Sequence, residues 1–255
     1  MRNYISYRYS SRTKFDVHPP FLFDLITKVF EDKKNYPDYQ KVEKLKKALI
    51  KNRQTISITD LGAGSSMNKN LERSIGFIAR TSSKDKKRGR LMYRLANYFK
   101  PGNILELGTS LGLSTAYLSF GSPESKITTI EGCPNIAALA EDNFKKLKLD
   151  NIDLICGNFD NELDKVLNII PQLDFAFIDG NHQREPTIKY FEQCLSKTVN
   201  DSVLIFDDIH WSEGMETAWE HVKQHPAVTL SIDIFFMGIV FFRKELSREH
   251  FVIKY

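Results

Sequence analysis

From residue 103 onward, short apolar runs alternate with stretches of helical periodicity. The runs, dominated by apolar and β-branched residues, predict five β-strands, at 103–107, 126–130, 152–156, 174–178 and 202–206. The stretches after them predict five helices, at 114–120, 134–148, 161–169, 186–195 and 212–224. Strands and helices that alternate in this way form βαβ units, so we predict an α/β protein whose parallel sheet has helices on both faces.

The pattern ends in a predicted β-hairpin. Two β-rich runs, 228–235 and 238–243, are separated by only Phe236 and Met237. A connection of two residues is too short for a crossover helix, so these two strands should be antiparallel. The sheet is therefore predicted to be mostly parallel, with an antiparallel hairpin at its end.

The first 100 residues have a weaker pattern. Their periodicity predicts three helices and one strand, at 21–30, 42–51, 91–99 and 56–61 respectively. The glycine turn Asp60–Ser65 is interpreted as a structural turn or part of a lid. The basic run Lys84–Arg90 has no interleaved aromatic residues, which makes it a poor platform for single-stranded nucleic acid. It is interpreted as a mobile solvated loop.

Composition places the chain among folded globular proteins. Of its 255 residues, 42% are hydrophobic and 27% are charged, which allows a sizeable core. No stretch approaches the roughly 20 apolar residues of a membrane-spanning helix, and Met1–Tyr4 lacks the apolar segment of a secretory signal. Cys133, Cys156 and Cys194 are widely spaced, which argues against a disulfide framework. We therefore expect a cytoplasmic protein.

Charge is distributed unevenly along the chain. Residues 1–100 carry 23 Lys and Arg against 9 Asp and Glu, and residues 101–255 carry 13 against 23, which gives formal charges of +14 and −10. A basic segment of this size could face a phosphate, a nucleic acid or an acidic substrate. The alternative is a set of solvated helix faces.

A glycine-containing turn follows the predicted strand at 103–107. Its Gly108 and Gly112 let the backbone turn sharply and let a ligand approach it closely. The next strand is followed by Glu131, and an acid about 20 residues beyond a glycine turn can accept hydrogen bonds from ribose hydroxyls. Turn and acid together indicate a nucleoside-bearing cofactor. The G-x-x-x-G spacing differs from the G-x-G-x-x-G of dinucleotide-binding proteins.

Glu106, the two glycines and Glu131 resemble the S-adenosylmethionine-binding pattern of class I methyltransferases. The terminal hairpin matches the seven-stranded, Rossmann-like sheet of that family, and the resemblance covers roughly residues 90–243. It implies a basic, mainly helical extension or lid at 1–90 and a catalytic domain at 91–255. The residues that it places around S-adenosyl-L-methionine are Glu106, Gly108, Thr109, Ser110, Gly112, Ser114, Glu131, Gly132, Asn158, Phe159, Asp160 and Asp179.

The resemblance also assigns parts of the cofactor to these residues. Glu106 is expected near the methionine amino end, and Gly108 and Gly112 along the cofactor. Glu131 is expected to hold the ribose, and Asn158–Asp160 to lie near the adenine.

Acidic residues also follow the fourth and fifth strands of the series, Asp179 after one and Asp207 and Asp208 after the next. Converging carboxylates repel each other unless a cation lies among them. Mg²⁺ accepts oxygen ligands and leaves positions open for a substrate. The arrangement resembles metal-dependent O-methyltransferases, in which such residues hold the metal. The resemblance therefore implies a site for Mg²⁺ or another divalent cation formed by Asp179, Asp207 and Asp208.

Catechol-type members of this family carry a basic Lys soon after the first Asp, and this chain carries His182 there. An unperturbed imidazole pKa of about 6.5 suits a general base at neutral pH. We therefore predict His182 and Asp179 as catalytic residues in the O-methylation of a small-molecule hydroxyl. Alternatively, Asp179 orients a loop or binds the cofactor without a metal, Asp208 caps the next helix, and His182 is an exposed loop residue.

Other functions stay open at this point. One alternative is a methyltransferase that acts on RNA or protein, and another is a non-catalytic interaction protein that retained the fold. The glycine spacing and the terminal hairpin disfavour a nicotinamide oxidoreductase. Nucleic acid and membrane are not expected partners, and a homodimer through the N-terminal helices is an alternative to a monomer. His210 and Trp211 either line a substrate pocket or begin a helix.

Overall fold

The structure, a computed structural model, describes residues 4–59 and 71–255. Contacts divide the chain into two units, 33–162 and 1–32 with 163–255. We call the first the glycine-turn unit, because it contains Gly108 and Gly112, and the second the aspartate unit, because it contains Asp179 and Asp207. The N-terminal turn Asp60–Ser65 lies outside the described residues.

Ten α-helices are present in the described residues, along with a 3₁₀ turn at Lys14–Asp16 and a π-helical turn at Ile26–Phe30. The α-helices are α1 Tyr4–Ser10, α2 Pro20–Leu25, α3 Pro37–Lys51, α4 Ile75–Thr81, α5 Lys86–Phe99, α6 Leu113–Gly121, α7 Pro134–Leu147, α8 Phe159–Ile169, α9 Arg184–Leu195 and α10 Glu213–Gln224. No helix among these is long and apolar enough to cross a membrane.

The same part of the chain contains ten strands. They are β1 Thr55–Ile58, β2 Leu71–Ser74, β3 Asn103–Leu107, β4 Lys126–Glu131, β5 Ile152–Cys156, β6 Leu173–Ile178, β7 Thr198–Asp207, β8 Leu230–Asp233, β9 Met237–Phe241 and β10 Glu249–Val252. Eight of them form the central sheet, and β1 and β2 form a separate antiparallel pair.

In the glycine-turn unit, β3, β4 and β5 are parallel neighbours in that order. Helix α7 shows why the sequence folds into βαβ units here. Pro134 stands in its first turn, where a missing N–H costs nothing, and Lys148 ends it in the left-handed conformation. The predicted parallel α/β fold is confirmed.

In the aspartate unit, the strand order is β10-β8-β9-β7-β6. Strands β6 and β7 are parallel, and β9 runs antiparallel to both β7 and β8, so the predicted terminal hairpin is confirmed. The expected count of seven strands is wrong, because β10 adds an eighth, parallel to β8. Its Phe251 is buried, but four residues are too few to show a clear strand period.

Two N-terminal expectations are corrected. The predicted helix at 21–30 is α2 followed by the π-helical turn. The run Lys84–Arg90 is not a loop, because α5 begins at Lys86. Asp85 caps that helix by accepting a hydrogen bond from the Arg88 amide at 2.8 Å. Arg90 donates to Glu43 on α3, which fixes the helix against its neighbour.

Helix α1 belongs to the aspartate unit, where it is hydrogen-bonded to the C-terminal segment of the chain. Tyr7 is fully buried, its hydroxyl donates to the Ile253 carbonyl at 2.6 Å, and it accepts from the Tyr255 amide at 3.2 Å. Arg12 and Ile253 form an isolated parallel bridge. Segments almost 250 residues apart in sequence are therefore joined by one buried phenol.

We predict that Tyr7→Phe lowers the free energy of unfolding by about 1–2 kcal/mol, because it leaves a carbonyl without its donor inside the protein. Urea denaturation measures this change. Tyr9→Phe on the same helix is the matched control, since Tyr9 is 89% exposed and should show no effect. Equal midpoints for both variants would contradict the role of the buried hydroxyl.

Candidate functional site

Glu106 lies near the end of β3 and is fully buried. Its Oε2 accepts hydrogen bonds from the hydroxyls of Thr115 on α6 and Thr129 on β4, the latter at 2.7 Å. The hydroxyls of Thr129 and Thr109 are 2.6 Å apart. This chain of polar groups fixes the glycine turn to the sheet below it. Burial raises the pKa of the Glu106 carboxyl, and the two threonine hydrogen bonds oppose that shift.

The turn after β3 has an unusual backbone. Gly108, Ser110 and Gly112 all have positive φ, at 102°, 49° and 75°. Two features disfavour a side chain at Gly112. Its φ is positive, and a Cβ there would lie 2.4 Å from the ring of Phe144. The prediction that glycine is needed for a sharp turn therefore has a structural basis at both glycines.

Glu131, the last residue of β4, binds the turn from the neighbouring strand. Its carboxylate accepts from the Ser110 amide at 2.8 Å and from the Cys133 amide at 2.9 Å. Burial raises the pKa of Glu131, and hydrogen bonds from backbone amides, including that of Gly132, lower it in part. A carboxylate has about four lone-pair positions, so it keeps capacity for a hydroxyl donor of a ligand.

The polar atoms of this turn fit a ligand. Oε1 of Glu106 and Oγ of Ser110 are buried and have no hydrogen-bond partner among the residues that the structure describes. Buried polar atoms in this condition are uncommon in native proteins and point to a missing partner. Ser114, the remaining predicted polar contact, is the second residue of α6.

The residues predicted near the adenine form the start of α8. Oδ1 of Asn158 accepts from the Asp160 amide at 2.9 Å, and the Asn158 carbonyl accepts from two further amides of the first turn. Phe159 is partly buried and Asp160 is exposed. Asn158 therefore has a helix-starting role here whether or not it also contacts a base.

In the aspartate unit, the strand register places two acids side by side. Ile178 of β6 pairs with Phe206 of β7, so Asp179 and Asp207 are the next residues on neighbouring parallel strands. His182 joins them, and one ligand atom from each of the three residues lies within 4.8 Å of the others. Asp207 is fully buried, and Nε2 of His182 lies 3.7 Å from Oδ1 of Asp179. Two carboxylates and an imidazole are a donor set that divalent metals accept.

Asp208 lies outside this group of three. Its amide donates to the Phe236 carbonyl at 2.7 Å, and its φ is 50°. It does not cap the next helix as the alternative held, because Ser212 accepts from the Met215 amide and is the N-cap of α10. The structure thus brings His182, rather than Asp208, to the two other predicted residues.

His210 and Trp211, whose roles the sequence left open, differ in their exposure to solvent. Trp211 is 70% exposed, whereas the His210 side chain is only 8% exposed. Nε2 of His210 lies 2.8 Å from Oδ2 of Asp233, and Nδ1 lies 3.3 Å from Oε1 of Glu216. Sequence reasoning missed this contact because Asp233 lies 23 residues away, at the end of a hairpin strand, and no local motif joins the two.

This combination of fold, glycine turn and strand-end acids defines the chain as one with the class I methyltransferase fold. Comparison with known families agrees: the profile of the family described as Methyltransferase domain matches residues 105–209. Residues 105–209 are therefore similar to a methyltransferase domain, in agreement with the resemblance.

Two curated relatives have similar sequences. The chain is 28% identical over 131 residues to a catechol O-methyltransferase of Niastella koreensis, a match that covers 48% of this chain and 55% of that protein. It is 25% identical over 128 residues to a catechol O-methyltransferase of Mycobacterium tuberculosis, with coverages of 48% and 54%. The chain thus spans about half the length of the curated relatives that it matches.

Solved structures share the fold across more of the chain. An O-methyltransferase from Bacillus cereus in complex with SAH aligns with a TM-score of 0.58 at 18% identity, covering 92% of this chain and 99% of that one. An SAH-bound methyltransferase from Podospora anserina aligns with a TM-score of 0.62 at 15% identity, covering 90% and 99%. At these identities the likeness is one of fold.

The buried carboxyl of Glu106 predicts a pH effect on stability. Its pKa is raised in the folded protein above the value near 4.3 of an unfolded chain, so the folded state binds the proton more tightly. The free energy of unfolding therefore falls as the pH rises through that interval, by about 1.4 kcal/mol for each unit of the raised pKa. Glu106→Gln should remove this part of the loss.

Urea denaturation at pH 4.5 and pH 7.5 measures the effect as the difference between wild type and variant. Glu141→Gln on α7 is the matched control, because Glu141 is exposed in the same unit. If the wild type, Glu106→Gln and Glu141→Gln lose the same stability between the two pH values, the buried carboxyl is not its source.

Proposed function

We propose that this protein is an S-adenosyl-L-methionine-dependent O-methyltransferase that acts on the hydroxyl of a small molecule and uses a divalent cation. The observation that carries the proposal is the convergence of Asp179, His182 and Asp207 in a chain with a methyltransferase domain. The curated relatives are named catechol O-methyltransferases, which supports oxygen as the atom methylated.

For the cofactor, the proposal uses the residues around the glycine turn. S-adenosylmethionine supplies an electrophilic methyl group when bound. The remaining acceptor capacity of Glu131 suits ribose hydroxyls, and the buried polar atoms of Glu106 and Ser110 suit the methionine end. Contacts along the turn are assigned to Gly108, Thr109, Gly112 and Ser114, and contacts after β4 and β5 to Gly132, Asn158, Phe159 and Asp160. A cofactor contact by Asp179 stays an expectation of the resemblance.

For the cation, the proposal uses Asp179 and Asp207. A bound divalent cation lowers the pKa of a hydroxyl that coordinates it. The two carboxylates supply the hard oxygen ligands that Mg²⁺ or Mn²⁺ prefers. Asp208, the third ligand that the resemblance implied, is not retained, because the structure does not bring it to the other two.

The general base is assigned to His182. Its side chain is 31% exposed, so an acceptor molecule can reach the ring, and it stands beside Asp179. The imidazole would accept the hydroxyl proton and the oxygen would form a bond to the methyl carbon. The bond from that carbon to the sulfonium sulfur would break, its electron pair staying on the sulfur of the thioether that leaves.

The N-terminal extension 1–90 is proposed to cover the cofactor in part. Its strand β1 contacts the segment directly after Glu131: the Ser57 carbonyl accepts from the Asn135 side chain at 2.8 Å, and the Thr59 amide donates to Sγ of Cys133 at 3.4 Å. These contacts support a cover at the expected ribose position.

The ribose role of Glu131 predicts that Glu131→Ala weakens S-adenosylmethionine binding by about 1–3 kcal/mol, the scale of a lost hydrogen bond to a charged group. Isothermal titration calorimetry measures the affinity. Glu141→Ala in the same unit should bind as the wild type does. A wild-type protein that does not bind S-adenosylmethionine would favour the non-catalytic alternative and refute the proposal.

The cation role predicts that Asp179→Asn and Asp207→Asn weaken Mn²⁺ binding about tenfold or more, since even outer-shell partners of a metal are worth 10- to 100-fold in affinity. Calorimetric titration with Mn²⁺ measures this without a methyl acceptor. Asp208→Asn is the matched control and should bind normally. Weakening by all three variants, Asp208→Asn included, would instead support the ligand set that the resemblance implied.

His182→Ala separates two roles in the same titration. As a base, His182 can be removed without a large change in Mn²⁺ affinity. As a ligand, its removal weakens binding as the aspartate variants do, and the assignment of the base would then be wrong.

A further inference from the structure

Asp207 is the last residue of β7, and the loop that follows it contacts the hairpin of β8 and β9 at two points. The Asp208 amide donates to the Phe236 carbonyl at 2.7 Å. Two residues further on, His210 lies 2.8 Å from Asp233. One contact uses the backbone of the hairpin turn and the other a side chain at the end of β8, so the loop is held along its length.

His210 connects three elements rather than two. Its second ring nitrogen lies 3.3 Å from the carboxylate of Glu216 on α10. The side chains of His210 and Asp233 are 8% and 6% exposed. Burying polar or charged groups is costly unless they are hydrogen-bonded, so an alternative placement of this ring would leave Asp233 buried without this partner.

The backbone of both segments is held in an uncommon conformation. Asp208 has φ of 50° and Phe235 has φ of 72°, a region that non-glycine residues seldom adopt. Such conformations persist only where the surroundings fix them. Oδ1 of Asp233 accepts from the Phe235 amide at 2.7 Å, and the Phe235 ring lies 5.4 Å from that of His210. Asp233 thus holds the hairpin turn with one oxygen and the loop with the other.

These contacts fix the loop that directly follows Asp207, a residue that is repelled by a neighbouring acid. Asp179 and Asp207 are like charges on adjacent strands, and Asp207 is fully buried, so without a cation the two carboxylates repel each other. We propose that His210, through Asp233, is a positioning residue that holds the loop so that Asp207 stays beside Asp179. The inference rests on the proposed cation site, although neither His210 nor Asp233 contacts the ion in it.

The test compares two histidines in the full chain. His210→Ala removes the buried contact, and His221→Ala removes a similar one on the surface, where His221 lies 2.9 Å from Glu192 and is 43% exposed. Calorimetry measures Mn²⁺ affinity and S-adenosylmethionine affinity. Hydrogen exchange of the peptide over residues 205–212 in metal-free protein reports on the loop itself.

We expect His210→Ala to bind Mn²⁺ about tenfold more weakly, the lower end of the effect of outer-shell residues on metal affinity. Its loop peptide should exchange faster, and its S-adenosylmethionine affinity should stay within about twofold of the wild type because the cofactor residues lie mainly in the other unit. His221→Ala should match the wild type in all three measurements. A merely structural role would lower thermal stability without this selectivity.

Failure of the positioning role and failure of the proposed function give different results. Normal Mn²⁺ affinity and normal exchange in His210→Ala overturn the positioning role alone. A wild type that binds no Mn²⁺ overturns the cation site, and the positioning role with it.

A second variant keeps the test decisive if His210→Ala does not fold. His210→Phe keeps an aromatic ring beside Phe235 but has no ring nitrogen for Asp233. It should weaken Mn²⁺ binding and speed exchange of the loop in the same direction. Wild-type values for this folded variant would overturn the proposal.

Discussion

Buried carboxylates at strand ends are the constraint on which the rest of this structure depends. Glu106, Asp207 and Asp233 are buried at or near the carboxyl end of a strand, and Glu131 is partly buried at the end of β4. Taking a carboxylate out of water is costly unless it is hydrogen-bonded or paired. Glu131 and Asp233 accept hydrogen bonds from backbone amides of the turns next to them, so these two acids help to fix the conformation of those turns.

The acids are satisfied in two different ways. Glu106 and Glu131 accept from threonine hydroxyls and backbone amides, neutral donors that build a fixed turn and leave acceptor capacity for hydroxyl groups. Asp207 stands instead beside another acid and a histidine, an arrangement in which a cation removes the repulsion. On this difference rests the proposal of the cofactor for the one unit and of the cation for the other.

The local pattern of apolar residues predicted most of the fold. Contacts between segments that lie far apart in the sequence could not be predicted from it. Strand ends such as Asp179 and Asp207 follow from apolar runs and the rule that parallel strands end at one edge, so their proximity was predictable. The short strand β10, the Tyr7 hydroxyl bonds and the contact of His210 with Asp233 join segments whose sequences show no mutual signal. The structure groups His182, and not Asp208, with Asp179 and Asp207, and the positive φ of 50° at Asp208 belongs to a loop conformation that the sequence pattern does not predict.

The basic charge of the N-terminal extension and its proposed covering role are separate properties. Lys86 and Arg90, from the basic run, both pair with Glu43 on α3, so these charges serve the packing of two helices. The contacts near the expected ribose position are made instead by backbone groups of Ser57 and Thr59. A cover built from backbone contacts does not need a charged ligand, so the excess of positive charge is no argument for nucleic acid as the substrate.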